Sequence, residues 1–246
     1  MTVFQRFDRI RIINLASRRD RRAQMTGELR RLGLDRDTRV QFVDGIIVDD
    51  KRPFRAPGEK GVFLAHLSIL TDAAAAGESV LILEDDVDFT PAAREWEPSP
   101  DCDVCYGGYN AINPDSLEDS DIYGAHCMGF SARAVKELVP FLTGLLKHPS
   151  PPPIDGAYVW FRRQREGFST EFATPIVAVQ RPSRSDITPS HRLDFVPNFA
   201  RPMGLLRGFK RELRRGRLTF GLPEAIVVAV IGVGITIAAA WHYSGR

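Results

Sequence analysis

Residues Gly77–Val87 read GESVLILEDDV. Gly77-Glu78 turns the chain, and Ser79–Leu83 is a continuous apolar run, the pattern of a strand covered on both faces. The run ends abruptly in Glu84-Asp85-Asp86, with Asp88 two residues on. This places several carboxylates at the carboxyl edge of a sheet, where open α/β folds bind ligands. Crowded carboxylates repel one another, and packing them without a cation raises their pKa values at a cost in stability. Two readings follow. Either a divalent cation sits among them, and hard oxygen ligands suit Mg²⁺ or Mn²⁺, or the acids form a solvated turn capping a helix.

The preceding residues supply the rest of a sheet. Arg11–Leu15 (RIINL) reads as a strand. Ser17 can cap the helix after it, with Asp20 three residues on. Met25, Leu29 and Leu32 recur on one face of that helix, and Gly33 is its stop. Arg21 reads as a solvated helix residue. Val40–Val43 is a second short strand, and Lys60–Ala76 a second helix with Phe63, Leu67, Leu70 and Ala74 in line. Strand, helix, strand, helix, strand at this spacing predicts a parallel α/β sheet. Later signals are Asp103–Tyr106 and Ala125–Phe130 as strands, Ala132–Leu146 and Asp155–Arg165 as helices, and Ile176–Gln180 as the last strand. From Arg181 to Pro202 the composition turns Pro/Ser/Arg-rich, which reads as a covering loop or linker.

The chain has 246 residues, 43% hydrophobic and 26% charged, enough for a sizeable core and incompatible with wholesale disorder. Three cysteines, Cys102, Cys105 and Cys127, are too few for a disulfide framework and point to a reducing compartment. The lone CxxC lacks the second pair that a zinc site needs. The net charge of +2 hides an asymmetry: from Arg201 onward eight basic residues face two acidic ones, which leaves an acidic body. A nucleic-acid binder would carry basic surface on its folded domain, so none is expected.

The basic run Arg207–Arg217 precedes Ala225–Tyr243, AIVVAVIGVGITIAAAWHY. As a helix it would span roughly 28 Å, the thickness of a bilayer core. Its flanking charges place the body on the cytoplasmic side, and the N-terminus shows no apolar stretch of signal-peptide length. The expected organisation is a domain over 1–187, a basic linker over 188–222 and a transmembrane helix over 223–243, anchored in the cytoplasmic membrane.

Six short pieces, in order, resemble the glycosyltransferase 25 family of lipooligosaccharide-type sugar transferases. They are IINLASRRDRR (Ile12–Arg22), FVDG (Phe42–Gly45), GEKGVFLAHLSIL (Gly58–Leu70), GESVLILEDDV, YGAHCMGFSARAVKELV (Tyr123–Val139), and Pro153–Asp155 followed by PIVAVQ (Pro175–Gln180) and SDI (Ser185–Ile187). Val62, Ala65 and Met128 depart from the family's usual residues. The resemblance implies a GT-A-like fold, mostly parallel, and an inverting, metal-dependent transferase. Such an enzyme would move a hexose, galactose in first place, from a UDP-sugar to a lipid-linked or cell-envelope glycan. The competing reading is a catalytically silent scaffold of the same fold, binding glycan or protein partners.

A sugar nucleotide leaves a diphosphate whose developing charge needs a cation. With that resemblance, Asp86 is the expected metal ligand and Asp85 a contact to ribose or metal-bound water, with Glu84 sharing the donor site. Asp88 and His126 are further metal candidates, and His126 can instead contact the donor or bond to backbone. Inversion requires a base for the acceptor hydroxyl. Asp155 is expected in that role, with a helix cap as its other reading, and His126 and Asp186 are further candidates. Asn14 and Arg19 stand where base and phosphates would dock. Asp44 is a uridine contact or a turn residue, and His66, on the edge of its helix's apolar face, lines the pocket or makes a buried hydrogen bond. Gly107-Gly108 reads as a tight turn or a close backbone approach.

Overall fold

The computed structural model describes residues 3–181. The expected linker and transmembrane helix, and Asp186, lie outside the described residues. Among those described, no helix is long and apolar enough to cross a membrane.

The elements run α1 (Val3–Arg6), β1 (Arg9–Asn14), α2 (Arg19–Leu32), β2 (Val40–Asp44), α3 (Pro57–Ala76), β3 (Val80–Glu84) and β4 (Val87–Phe89). After a 3₁₀ turn at Pro91–Arg94 come β5 (Val104–Ala111), β6 (Ile122–Phe130), α4 (Ala132–Leu145), α5 (Ile154–Gln164), β7 (Thr170–Phe172) and β8 (Ala178–Gln180). Six strands form one sheet in the order β2-β1-β3-β6-β5-β7, and β4 pairs with β8 apart from it. β1 is parallel to β2 and β3, β5 is parallel to β7, and β6 is antiparallel to both β3 and β5. Five of the six strands therefore share a direction, and β6 alone runs against them. The architecture is a mixed, mostly parallel α/β sandwich.

Alternation along the strands builds a core on each face of the sheet. Val80 and Ile82 join one cluster with α3, α4 and α5, while Leu81 and Leu83 join another with α1 and α2. All four are essentially excluded from solvent, as the run between Ser79 and Glu84 predicts. Helices α2 and α3 each end on a left-handed glycine, Gly33 (φ 73°) and Gly77 (φ 71°). The following residues close both ends by reaching back five positions, Leu34 N–H to Leu29 O and Glu78 N–H to Ala73 O. That pattern needs φ above zero at the glycine.

Several expectations are corrected. Ser17 does not cap α2; Arg18 holds the cap position and no side chain caps the helix. The buried face of α3 runs through Phe63, His66, Ile69, Leu70 and Ala73, so His66 is at its centre and Leu67 lies only partly buried. The helix is apolar on several sides, and packing against α4 chooses which side turns inward. Gly107 and Gly108 are no turn. They lie inside β5, where the register to β6 shifts on either side of Gly108. A Cβ on Gly108 would fall 2.2 Å from His126 Nε2 and 2.5 Å from the Ala178 carbonyl. Cys102 and Cys105 are joined as a disulfide, while Cys127 is a free, buried thiol whose pKa desolvation pushes up to about 12. The strand β4 has no counterpart in the sequence reading. Its three residues are held by pairing with the distant β8.

Candidate functional site

Strands β1, β2 and β3 end flush. Asn14 is level with Asp44, and Ile13 with Glu84. Just beyond them opens a pocket of about 340 Å³. One wall is Glu84, Asp85, Asp86 and Arg21, and Gln180 joins from β8. Much of the remaining lining is apolar, made by Ile46, Ile47 and Val48 after β2 and by Val62 and Ala65 of α3. Ile47 is 76% exposed at the lip. The loop and helix meet backbone to backbone, since a Cβ on Gly61 would lie 2.2 Å from the Ile46 carbonyl oxygen. Pro57 and Gly58 bring the start of α3 to the pocket, with no side chain capping it, and the positive end of a 20-residue helix favours anions there.

The acidic wall is held by hydrogen bonds. Asp85 and Asp86 are each only 6% exposed. Asn14 Nδ2 donates to Asp85 Oδ2 at 2.7 Å and to the Arg18 carbonyl at 3.2 Å. Arg21 Nη1 donates to Asp85 Oδ1 at 2.9 Å and lies 3.3 Å from Asp86 Oδ2. Gln180 Nε2 donates to Asp86 Oδ2 at 3.3 Å. Arg21 is thus no solvated helix residue. It lies four residues before Met25 and eight before Leu29, in line with the buried side of α2, so it enters the acid cluster from the helix.

Glu84, at the end of β3, is partly buried beside Asp85 and Asp86. Burial pushes its carboxyl up to about 8, and the nearby negative charges of Asp86, Asp155 and Asp85 add to the effect against the pull of Arg21. Behind it His66 is fully buried, with Nδ1 2.9 Å from the Tyr158 hydroxyl and Nε2 4.0 Å from Glu84 Oε1. Burial drives the imidazole down to about 3, so it is neutral. Asp86 is also raised, chiefly by burial.

The remaining expected residues are placed elsewhere. Asp88, on β4, accepts from Arg181 Nε at 3.0 Å in an ion pair. His126 is buried, with Nε2 3.4 Å from the Ala178 carbonyl and Nδ1 lacking a hydrogen-bond partner among the described residues. Burial lowers its pKa. Asp155 is in the first turn of α5, after Pro153 in the cap position; it accepts from the Gly124 and Gly156 N–H groups at 3.0 and 2.8 Å. Arg19 and Asp44 are exposed and do not line the pocket.

The expected metal set of Asp86, Asp88 and His126 does not converge. Among the described residues no three His, Cys, Asp or Glu side chains are grouped to hold a metal ion. The physical reason is on both sides of Asp86: β4 carries Asp88 to Arg181, and Arg21 already bridges Asp85 and Asp86. The residues present therefore do not fit the ion that the resemblance implies. The site residues that sequence reading missed are Arg21, Tyr158, Gln180 and the loop 45–48. The helical line from Arg21 to Met25 and Leu29 was the one signal for the first.

No family model matches the chain, and no curated protein does. Among solved structures it is similar to one described as a glycosyltransferase involved in the glycosylation of the major capsid of PBCV-1. The identity is 10% and the TM-score 0.44, over 67% of this chain and 81% of that one. A likeness of that size says nothing of chemistry. The family-25 resemblance rests on the motifs alone.

Proposed function

We propose that the chain is a glycosyltransferase that binds a nucleotide-sugar donor in the pocket at the carboxyl ends of β1, β2 and β3 and passes a hexose to a glycan hydroxyl. The observation that carries this reading is the composition of that pocket: its lining combines buried carboxylates, apolar side chains and the start of a helix. Carboxylates accept hydrogen bonds from vicinal hydroxyls, an apolar wall suits a planar base, and a helix start suits phosphate. The ordered family-25 motifs bring five of their pieces to this pocket, through Asn14 and Arg21, Gly45, Gly58 to Ala65, Glu84 to Asp86, and Gln180. A UDP-sugar, with galactose as the hexose, is the donor class that the motifs favour.

In this reading Asn14 and Arg21 fix Asp85 and Asp86 as acceptors, and Gln180 holds Asp86 from the far side. Inversion calls for a carboxylate to take the acceptor hydroxyl's proton from the face opposite the leaving group. Glu84 lines the pocket and Asp155 does not; because burial raises the Glu84 carboxyl to about 8, it serves as base only in its ionised fraction, which grows as pH rises toward 8. The positive end of α3, at Pro57 and Gly58, is the group on the pocket wall suited to the leaving diphosphate. The acceptor is proposed to be a lipid-linked or envelope glycan, on the strength of the apolar sequence over 225–243 alone.

The test is binding of UDP, UDP-galactose and a panel of other nucleotide sugars to the full-length chain by calorimetry, followed by UDP release. Binding that falls at least tenfold in D86N supports the reading. Absence of binding by any nucleotide sugar sinks it.

A further inference from the structure

The acid cluster needs positive charge, and the structure supplies it from within the chain. Arg21 Nη1 reaches Asp85 at 2.9 Å and Asp86 at 3.3 Å, with the three side chains 11%, 8% and 8% exposed. Asn14 and Gln180 add neutral donors to the same two carboxylates. A metal ion entering here would have to displace the guanidinium, leaving a charged group desolvated and deprived of its partners, which is strongly unfavourable. Lone pairs remain, since each carboxylate has about four acceptor sites and these contacts use only some of them.

We infer that Arg21 is the resident cation of this pocket, taking the place of a divalent metal ion, so that Asp85 and Asp86 hold the hydroxyl groups of a polyhydroxylated ligand directly. The inference rests on the reading of the pocket as a nucleotide-sugar site and concerns how that site balances charge. Two carboxylates against one guanidinium leave the wall net negative. A diphosphate is repelled there and drawn instead toward Gly58, which lines the same pocket at the positive end of α3. Ribose or sugar hydroxyls are then what face the aspartates.

Manganese itself is the probe. The full-length chain is titrated with MnCl₂ and free Mn²⁺ is counted by electron paramagnetic resonance, beside D86N. The expected result is no uptake that distinguishes the native chain from D86N. Uptake by the native chain that D86N abolishes overturns the inference. In R21M the acids lose their counter-ion, and Mn²⁺ is expected to raise Tm by about 5 °C or more, against less than about 1 °C for the native chain. A folded R21M that gains nothing from Mn²⁺ also overturns it. Should R21M fail to fold, the native and D86N titrations decide alone. UDP affinity is measured in parallel with and without EDTA. Affinity unchanged within about twofold agrees with the inference, and an Asp86-dependent loss in EDTA contradicts it. If UDP binds in neither condition, the nucleotide-sugar reading fails, and the manganese titrations still decide whether Arg21 fills the place of the metal.

Discussion

His66 Nε2 lies 4.0 Å from Glu84 Oε1 behind the acidic wall of the pocket, yet the two do not form a salt bridge at neutral pH. Burial drives the imidazole down to about 3 and the carboxyl up to about 8, so near pH 7 the histidine is neutral and the acid predominantly protonated. Tyr158 at 2.9 Å from Nδ1 orients the ring. With the hydroxyl donating to Nδ1, Nε2 carries the proton and presents it toward Glu84.

The raised carboxyl of Glu84 makes stability depend on pH. An unfolded chain releases this proton near the ordinary 4.5 and the folded chain near 8, so the folded state binds more protons between those values. The group's contribution is complete below about 4.5 and is lost as pH rises through 8. E84Q should match the native chain at pH 5 and exceed it at pH 9 by about 2 kcal/mol in urea unfolding. An equal difference at both pH values would refute the assignment.

His66 works in the opposite sense. Its folded pKa is depressed below the ordinary 6.5, so its contribution is present above 6.5 and lost as pH falls toward 3. Y158F removes the hydroxyl from Nδ1 and should cost about 1–2 kcal/mol at pH 7, because a buried ring nitrogen is left without its partner. Denaturant midpoints of Y158F and native protein measure this, and indistinguishable midpoints would contradict it.

Arg19 and Arg21 are two residues apart on α2 and should behave differently. R19A alters an exposed side chain and should change stability by less than about 0.5 kcal/mol. R21A breaks the contacts to two buried carboxylates and should cost about 3–5 kcal/mol. The triple variant R21M/D85N/D86N should recover much of that loss, since no buried charge then lacks a partner. Chemical unfolding of the four proteins is the check.

Asp86 and Asp88 likewise separate by function. Asp88 is occupied by Arg181 and sits outside the pocket wall, so D88N should leave UDP-galactose affinity within about twofold. D86N should lower it at least tenfold. Equal losses in calorimetry would put both acids in the site.

Gly61 governs the width of the pocket. A methyl group there would press on the Ile46 carbonyl, which a Cβ would approach to 2.2 Å, so G61A must push the loop off the helix. The expected cost is about 1–3 kcal/mol together with weaker donor binding, read by thermal unfolding and calorimetry.

Much of this is open to a reader of the sequence. The apolar run before Glu84 announces a strand buried on both faces, and Gly33 and Gly77 announce helix ends, because both signals depend on a few neighbouring residues. The inward face of α3 is not legible in the same way, since Phe63–Leu67–Leu70–Ala74 and Phe63–His66–Leu70–Ala73 are both apolar enough to turn inward. Which one does so depends on packing against α4, far along the chain. The β4–β8 pair is invisible for the same reason. Three residues carry no periodicity, and their partners lie some ninety positions away.

From its residues alone this chain could be known to crowd carboxylates at the tip of a buried strand and to require positive charge for them, because like charges in a low-dielectric setting repel wherever the chain goes. Folding settled which positive charge answers. The rotation of α2 about its own axis carries Arg21 inward with Met25 and Leu29, and the pairing of β4 with β8 leads Asp88 away to Arg181. Repulsion among adjacent acids is local, whereas the identity of their counter-ion is a matter of distances between segments that only packing brings together.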